Sequence, residues 1–325
     1  MTNSLNDVFA MQKEFAKNFY DIDNMTADER KRITLNLVLS MHSEVSSLLS
    51  GLDYQTHRPA SLSKDTSTPK REVNRGNLKF EAVDVLRYLT AVMSLWNISA
   101  DDLLEAHAIR DLHLQMRHNM EMRTWQFEPV VILDIDDVMS RFKEDFQVWL
   151  EKETGVPQEI KTKQYYPTKL LRAAGFNPEE LFNRFIAAGE LSKLGAYTDI
   201  IDVVQEMKNA GCWIHLVTAR PDDDLTCRYD TFKWISERKI PCDRLTFSNQ
   251  KYLTISHCGY GANIAFAVED SSKHVREYAQ QDIRCFVPRR SYNEDMAEVA
   301  NVFYYDDANV LRNLVELRLK QMRGL

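Results

Sequence analysis

Three aspartates follow a short apolar run in the stretch VVILDIDDVMSRF, residues 130–142. The run itself, residues 130–133, is typical of a strand buried in a parallel sheet that is covered on both faces. Asp134, Asp136 and Asp137 would then lie at the carboxyl end of this strand, where open α/β sheets bind ligands. Clustered carboxylates repel one another, and a divalent cation that prefers oxygen ligands, such as Mg²⁺, relieves that repulsion. The alternative is a strand that ends in a solvated acidic turn.

Three later strand ends carry polar groups that suit phosphate chemistry. A second apolar strand ends in Thr218, whose hydroxyl could hydrogen-bond a phosphoryl oxygen. Lys251 follows a short third strand, where its ammonium group could neutralise phosphate charge. A fourth apolar strand is followed directly by Glu269 and Asp270. Because the carboxyl ends of parallel strands lie along one edge of a sheet, we expect the four strand ends to form one site.

These four strand ends, in this order, resemble the motifs of the haloacid dehalogenase superfamily, and the resemblance covers nearly all of residues 129–306. It implies that Asp134 attacks phosphorus and forms an aspartyl-phosphate. It implies that Asp136 protonates the leaving oxygen and then deprotonates the attacking water. Thr218 and Lys251 would stabilise charge on the transferring phosphoryl group.

The same resemblance implies a Mg²⁺ site at this edge of the sheet. Its ligands would come from Asp134, from Asp136 through the backbone carbonyl, and from the acidic pair Glu269 and Asp270. Asp137 stands where the superfamily often has glycine. We interpret Asp137 as a solvated turn residue rather than as a third catalytic carboxylate.

Residues 141–195 form a mostly helical insert where the superfamily carries a cap over the site, and a helical cap implies a small substrate. The stretch LGAYTDIIDVVQEMKNAG leading into VTARP, and the later FVPRRSYN, are similar to the 5'(3')-deoxyribonucleotidase branch. Arg220 is a candidate for substrate binding, and a structural ion pair is an equal alternative. Tyr165, Tyr166 and Phe142 could stack on a base, although aromatic residues in a cap more often belong to the core.

Acidic residues also lie on apolar faces of two helices near the N-terminus. In residues 35–49, Glu44 falls on the apolar stripe that should be buried. In KFEAVDVLRYLTAVM, Glu81 and Asp84 are three positions apart and therefore lie side by side on one face. Carboxylates are seldom buried without a partner, so metal ions between facing helices would explain them.

This second pattern resembles the all-α nucleoside triphosphate pyrophosphohydrolases of the MazG and dimeric dUTPase group. The group carries Glu-x-x-Glu on one helix and Glu-x-x-Asp on the next, and here Ser47 replaces the second glutamate after Glu44. The resemblance implies that Glu44, Glu81 and Asp84 bind Mg²⁺ (or Mn²⁺) and that the bundles pair as a homodimer or higher homo-oligomer. The candidate phosphate-binding cations of the polar loop between the helices are Lys64, Lys70, Arg71 and Lys79, with a solvated linker as the alternative.

The pattern along the 325 residues changes near TWQFEP, residues 124–129. Residues 1–125 are predicted to form an all-α helical bundle with helices at 5–20, 27–50, 78–96 and 100–122. Residues 126–325 are predicted to form an α/β doubly wound, Rossmann-like domain with the helical cap. Its strands are expected at 130–134, 213–218, 244–247, 264–268, 283–287 and 302–305.

Bulk composition limits the class of protein. Five scattered cysteines without a CxxC spacing indicate neither a disulfide frame nor a zinc site. We see no secretory signal and no apolar run long enough for a membrane, so a cytoplasmic location is expected. The net charge of −7 argues against a large nucleic-acid footprint but is compatible with small nucleotide substrates.

Together these features predict a bifunctional nucleotide hydrolase. The first domain would cleave a nucleoside triphosphate to its monophosphate and pyrophosphate, and the second would dephosphorylate that monophosphate. Two alternatives remain open. The second domain could act on the terminal phosphates of oligonucleotides, which a missing cap or a basic groove would favour. The first domain could be a non-catalytic binding and dimerisation module, which Ser47 favours.

Overall fold

The structure is a computed structural model that describes residues 4–51, 75–122, 128–157 and 167–324. The chain forms two compact units, Met1–His107 and Ala108–Leu325. The units divide inside helix α4 (Ala100–Met122), whereas the change of sequence pattern predicts a boundary after residue 125. No helix in the described part of the chain combines the length and apolar character that crossing a bilayer requires.

Among the described residues of the second unit, six strands form one parallel sheet. They are β1 (Val130–Leu133), β2 (Trp213–Thr218), β3 (Arg244–Phe247), β4 (Ile264–Val268), β5 (Cys285–Pro288) and β6 (Val302–Tyr305). The six strands predicted from the sequence are confirmed, with small shifts at their ends. β5 begins two residues late because the Ile283 N–H donates to the Tyr278 carbonyl at 3.1 Å, so Ile283 still belongs to the turn that closes the preceding helix.

The helices of this unit surround the sheet and include a helical insert after β1. They are α5 (Phe142–Thr154), α6 (Thr168–Ala173), α7 (Pro178–Ala187), α8 (Glu190–Lys193), α9 (Thr198–Asn209), α10 (Leu225–Glu237), α11 (Lys251–Ser256), α12 (Ser272–Ala279) and α13 (Ala308–Met322). Helices α5 to α8 make up the insert. Local signals set its ends: α5 stops at Gly155, which has a φ of 69°, and Asn177 caps α7 by accepting from the Glu179 N–H.

The order of the strands is β3-β2-β1-β4-β5-β6. The chain therefore winds outward from β1 in one direction and outward from β4 in the other. The switch point lies between β1 and β4, which pair directly. In sheets of this topology the crevice at the carboxyl side of the switch point is the usual ligand site. Asp134 and Glu269 are the first residues after these two strands.

Both faces of the central strands are buried. Side chains of a strand alternate between the faces, so Val131 and Leu133 belong to one apolar cluster and Val130 and Ile132 to the other. A strand covered in this way must be apolar throughout, which explains the continuous VVIL run. The first polar residue, Asp134, marks the edge of this double core.

The first unit contains α1 (Leu5–Ala16), α2 (Ala27–Gly51), α3 (Arg75–Leu95) and the start of α4, and its described residues include no strand. Helix α1 begins with a capping box between Ser4 and Asp7. In the small apolar core of the first unit, Leu37 of α2 packs with Ala91 and Leu95 of α3. The four helices predicted from the sequence are present, with ends shifted by up to four residues.

Candidate active site

Asp134 is held at the carboxyl end of β1 by three hydrogen bonds. Its N–H donates to the Val268 carbonyl of β4 at 3.0 Å. Its Oδ1 accepts from the Ile135 N–H at 2.8 Å and lies 2.8 Å from the Lys251 ammonium. Burial, and then the nearby Glu269 carboxylate, raise the pKa of Asp134 to about 7. The side chain is thus fixed through Oδ1, and Oδ2 is left for chemistry.

Lys251 is the first residue of α11 and is almost fully buried. Its Nζ lies 2.8 Å from Asp134 Oδ1 and 2.8 Å from Glu269 Oε2. Burial alone would lower the pKa of this ammonium, but the two carboxylates outweigh burial and raise it. Lys251 is therefore a charged group held between Asp134 and Glu269.

Asp134, Glu269 and Asp270 each offer a carboxylate oxygen, and these oxygens lie within 4.8 Å of one another. Three buried carboxylates beside one ammonium leave an excess of two negative charges when all are ionised, which a divalent cation would neutralise. An all-oxygen donor set suits Mg²⁺. The residues present therefore fit the metal that the sequence predicts.

The three carboxylates are not equally available to a cation. Both oxygens of Glu269 already accept hydrogen bonds, Oε1 from the Ser271 N–H and Oε2 from Lys251. Asp270 Oδ2 accepts from the Tyr292 hydroxyl at 2.6 Å, and Oδ1 is the oxygen that can turn to a metal. Burial, followed by Glu269, raises the pKa of Asp270 well above its ordinary value. Glu269 therefore holds Lys251 and the backbone of Ser271 in place, whereas Asp134 and Asp270 are the candidate ligands of a metal ion.

The side chain of Asp136 is hydrogen-bonded to Arg220 and Ser140 and does not belong to this group of three. The Arg220 guanidinium donates to it twice, from Nε to Oδ2 at 2.9 Å and from Nη2 to Oδ1 at 2.6 Å. The Ser140 hydroxyl also donates to Oδ1, at 2.8 Å. Arg220 thus forms the ion pair that the sequence left as an alternative to substrate binding. Any metal contact from Asp136 would have to come from its backbone carbonyl.

Thr218 lies at the end of β2, fully buried. Its Oγ1 accepts from the Arg220 N–H at 3.2 Å, which fixes the hydroxyl at the edge of the sheet. The four strand ends that the sequence singles out therefore lie at one edge, with β1 pairing both β2 and β4.

The interpretation of Asp137 as a solvated turn residue is wrong, because its side chain is only 2% exposed. Its φ of 55° lies in the left-handed region that favours glycine. Asp137 Oδ1 accepts from the Lys143 N–H at 3.0 Å, and its carbonyl accepts from Arg290 at 2.9 Å. Burial raises the pKa of Asp137 to about 7. The first turn of α5 and the loop after β5 cover the aspartate, and neither contact could be read from local sequence.

Three residues that the sequence did not assign to the site lie next to it. Lys143, in the first turn of α5, places its Nζ 4.6 Å from the centre of the Tyr292 ring. Arg290 stacks on Tyr197 at 4.8 Å. Arg290 and Tyr292 belong to the stretch FVPRRSYN, which the sequence marked only by its similarity to a family branch. The signal that could have found them is the position of this loop after β5, at the same edge of the sheet.

Two cavities meet at Asp136 and Ala219. The smaller, of about 340 Å³, contains Asp134, Lys251, Asp270 and Tyr292. The larger, of about 460 Å³, is lined by Arg220 and by the insert residues Phe142, Thr168, Arg172, Pro178, Glu179, Phe182 and Leu191. The insert therefore forms a largely apolar wall beside the acidic site. Of the proposed stacking residues, Phe142 lines this wall, and Tyr165 and Tyr166 lie outside the described residues.

The candidate metal ligands of the first unit are not brought together in the same way. Glu44 and Asp84 line one cavity of about 370 Å³, but Glu81 does not. Among the described residues, these three form no group with oxygens within 4.8 Å of one another. Ser47 is exposed on α2, and Lys79 is exposed on α3. Lys64, Lys70 and Arg71 lie outside the described residues.

No family model and no curated protein matches the chain. Solved structures similar to part of it include a Thermotoga maritima protein assigned as a beta-phosphoglucomutase, with a TM-score of 0.40 and 15% identity over 58% of this chain and 98% of that one. CbbY from Rhodobacter sphaeroides, in complex with phosphate, has a TM-score of 0.39 and 17% identity over 57% and 96%. A hydrolase from Streptococcus pneumoniae has a TM-score of 0.32 and 13% identity over 58% and 98%. At these scores and identities the likeness identifies no family, so the chemistry is argued from the site.

Proposed function

We propose that the second unit is a phosphomonoesterase of the haloacid dehalogenase type. The observation that carries this proposal is the arrangement around Asp134. A buried carboxylate stands at the switch point of the sheet, with Lys251 bonded to one oxygen and Asp270 beside it. Asp136, two residues further on, faces both cavities. A nucleophile, a proton-transfer group and a cation for the phosphoryl oxygens are thus in one place.

The reaction would proceed in two steps, transfer of the phosphoryl group to Asp134 and hydrolysis of the resulting aspartyl-phosphate. Asp134 Oδ2 forms a bond to phosphorus as the ester P–O bond breaks, and the departing alkoxide takes a proton from Asp136. Asp136, now ionised, then accepts a proton from water as the water oxygen attacks phosphorus and frees Asp134. The products are an alcohol and inorganic phosphate. The two hydrogen bonds from Arg220 would fix the orientation of the Asp136 side chain for both proton transfers.

Thr218 and Lys251 would bind the transferring phosphoryl group from two sides. Lys251 is charged and immobile, so it stabilises developing negative charge without reorganising. A bound Mg²⁺, held by Asp134, Asp270 and the Asp136 carbonyl, would supply charge neutralisation between the anionic nucleophile and the anionic ester.

The substrate class that we propose is a nucleoside monophosphate. The larger cavity begins at Asp136 and is lined by the rings of Phe142 and Phe182, which suits a flat, partly apolar leaving group. Its volume of about 460 Å³ lies in the range of pockets for small ligands. The similarity to the deoxyribonucleotidase branch supports the same class.

The direct test is hydrolysis of a panel of phosphomonoesters with Mg²⁺ by the wild type and by Asp134→Asn. Each ribo- and deoxyribonucleoside monophosphate is compared with sugar phosphates. The variant should show no turnover, because an amide cannot attack phosphorus. Asp306→Asn removes an exposed carboxylate paired with Arg289 and is the matched control. Normal hydrolysis by Asp134→Asn would refute the nucleophile, and preference for sugar phosphates would refute the substrate class.

A second activity, in the first unit, is supported by one observation. Glu44 and Asp84 line the same cavity, together with Arg87 and the rings of Phe15 and Tyr88. Two carboxylates, a guanidinium and aromatic faces are the groups needed for a metal-bound nucleotide. We propose a Mg²⁺- or Mn²⁺-dependent pyrophosphohydrolase there, whose monophosphate product is the substrate of the second unit.

We also propose that the first unit pairs with a second copy of the chain. Helix α2 presents a second apolar stripe, distinct from its buried face, through exposed Leu35, Val38, Leu39 and Val45. Their spacing follows one side of a helix, and exposed apolar stripes mark interaction surfaces. Leu39→Lys should shift a dimer to a monomer in analytical ultracentrifugation. A wild type that sediments as a monomer would refute the proposal.

A further inference from the structure

A basic groove lies at the open edge of the sheet, beside the edge strand β3. Its volume is about 410 Å³, and its walls are β3, α10 and residues 113–120 of α4. Four of its lining residues can carry positive charge: His113, Arg117, Arg228 and Arg244. Among the described residues that line the groove, Asp222 is the only acidic one.

The cations of this groove are weakly neutralised. Arg228 meets Asp222 through one 3.3 Å contact, and both side chains are partly exposed. Arg117 pairs with Glu121 of its own helix, but the arginine side chain is 72% exposed, and such pairs contribute little. Arg244 Nη1 donates to the thiol sulfur of Cys258, which is neutral. In a chain of net charge −7, this is a local concentration of positive charge.

The lowered pKa of His113 agrees with the concentration of positive charge in the groove. Partial burial, and then Arg110 and Arg228, lower the pKa of His113. An anion bound in the groove would therefore meet two guanidinium groups next to an imidazole that it could help to protonate.

Aromatic rings lie between the cations. The His113 ring is centred 5.3 Å from that of Phe232, and the Phe232 ring 6.4 Å from that of Phe247. The Arg228 guanidinium lies 5.8 Å from the centre of the Phe247 ring. Phe232 is only 7% exposed, so the rings open to a ligand are those of His113 and Phe247. Arginines next to accessible aromatic rings are typical of single-stranded nucleic-acid sites, because phosphates pair with the cations and bases stack on the rings.

The groove is close to the phosphatase site. Phe247 is the register partner of Thr218, so the groove reaches the same edge of the sheet. β3 is two strands away from β1, and at about 4.8 Å per strand the two strand ends are roughly 10 Å apart. A chain of two or three nucleotides could span that distance with its terminal phosphate at Asp134.

We propose that this groove binds the nucleotides next to the terminal phosphate of a short single-stranded oligonucleotide. For its catalytic consequence the proposal rests on the proposed phosphomonoesterase, and it extends the substrate class from mononucleotides to oligonucleotides. The cap would not block an oligonucleotide in the groove, because no described residue of the insert lines the groove. A short strand also agrees with the acidic net charge, since only a few phosphates need to be neutralised.

Binding is tested first, without turnover. The Asp134→Asn protein is titrated against a short thymidine oligomer with a terminal phosphate and a fluorescent label, and anisotropy is measured at about 50 and about 200 mM salt. Adding Arg228→Gln should weaken binding about tenfold and reduce the salt slope by about one. Arg312→Gln, which removes an exposed arginine of α13 paired with Glu206, is the matched control and should change neither. Equal affinity of the Arg228→Gln protein and its parent, or no binding by the parent, would overturn the proposal.

Turnover then separates this proposal from the proposed function. With Asp134 intact, Arg228→Gln should lower kcat/KM for the oligomer, relative to the mononucleotide, by about tenfold. Binding that depends on Arg228 in a protein with no phosphatase activity would refute the function and keep the groove. Phosphatase activity whose substrate preference is unchanged by Arg228→Gln would refute the groove and keep the function. Arg228→Lys guards against a folding artefact, because it keeps the charge and should restore part of the affinity.

Discussion

The guanidinium of Arg220 donates two hydrogen bonds, of 2.9 Å and 2.6 Å, to the carboxylate of Asp136, which lies 84 residues earlier in the chain. The same guanidinium donates to the Thr231 hydroxyl of α10 at 3.0 Å. Arg220 is therefore fixed from both sides and in turn fixes the group that would transfer protons. Arg220 is therefore a positioning residue. Its replacement should change kcat, whereas replacement of a substrate-binding residue would change KM.

Arg220→Lys should lower kcat for nucleoside monophosphates by about 10- to 100-fold, with little change in KM. A lysine keeps the charge but cannot make two parallel hydrogen bonds, so Asp136 loses its orientation. Steady-state kinetics of both proteins checks this. If Arg220 mainly binds substrate, KM will rise while kcat stays the same.

A substrate with a good leaving group provides the control for Arg220→Lys. The p-nitrophenolate of p-nitrophenyl phosphate leaves without a proton, so its release does not depend on Asp136 as an acid. The loss of kcat/KM, which reports the steps up to departure of the leaving group, should therefore be smaller for this ester than for a nucleotide. An equal loss of kcat/KM for both esters would mean that Arg220 acts on the nucleophile or on the fold.

Asp134→Asn should change the pH dependence of stability. The pKa of Asp134 is raised to about 7 in the folded protein, so without metal the folded state binds a proton that the unfolded chain releases near pH 4. The carboxylate thus destabilises the fold increasingly as the pH rises through this window. Asp134→Asn should therefore be more stable, relative to the wild type, at about pH 8 than at about pH 5.

Urea unfolding in the presence of a chelator measures this difference. Using the difference between the two proteins cancels the titration of the groups that do not interact with Asp134. Asp306→Asn, on the exposed surface, should show no comparable pH-dependent difference. A constant offset between Asp134→Asn and the wild type from about pH 5 to about pH 8 would contradict the raised pKa.

Tyr292→Phe should weaken divalent metal binding about tenfold. The Tyr292 hydroxyl donates to Asp270 Oδ2 at 2.6 Å and so orients the other oxygen of this candidate ligand, and loss of such supporting bonds typically lowers metal affinity. Calorimetric titration with Mn²⁺ measures the affinity without turnover. Tyr252→Phe removes a hydroxyl that bonds Gln281 and is the control. Identical affinities for Tyr292→Phe and the wild type would show that Asp270 needs no support from Tyr292.

Asp84→Asn should abolish release of pyrophosphate from nucleoside triphosphates and leave monophosphate hydrolysis intact. Asp84 lines the cavity of the first unit, and its 3.7 Å pair with Arg87 is solvent-exposed, so the substitution should cost less than about 0.5 kcal/mol of stability. Chromatography of the products with Mg²⁺ or Mn²⁺ checks this. Loss of both activities would mean that the two units share one site.

Two further variants complete the test of the first unit. Asp101→Asn, in α4 outside that cavity, is the control and should keep both activities. Ser47→Glu, one helical turn after Glu44, should lower the metal concentration needed for triphosphate cleavage, because it adds a carboxylate to the set. If neither the wild type nor Ser47→Glu cleaves any triphosphate, the binding and dimerisation alternative is correct.

The sequence alone determined the six strands and the residues at their carboxyl ends. The central strands β1 and β4 are continuous apolar runs, VVIL and IAFAV, because a parallel strand that is covered on both faces must be apolar throughout. Such runs can be recognised in the sequence without knowledge of the neighbouring strands. Parallel strands bring their carboxyl ends to one edge, which is why the sequence alone places Asp134, Thr218, Lys251 and Asp270 in one group.

Only the tertiary structure decided which charges pair. Asp136 is bonded to Arg220, Asp270 to Tyr292, and Asp137 is buried beneath α5 rather than solvated. Each of these outcomes depends on where a loop or helix from a distant part of the chain packs. A charged side chain can be satisfied by water or by any of several partners, and the choice follows from packing that no local pattern encodes.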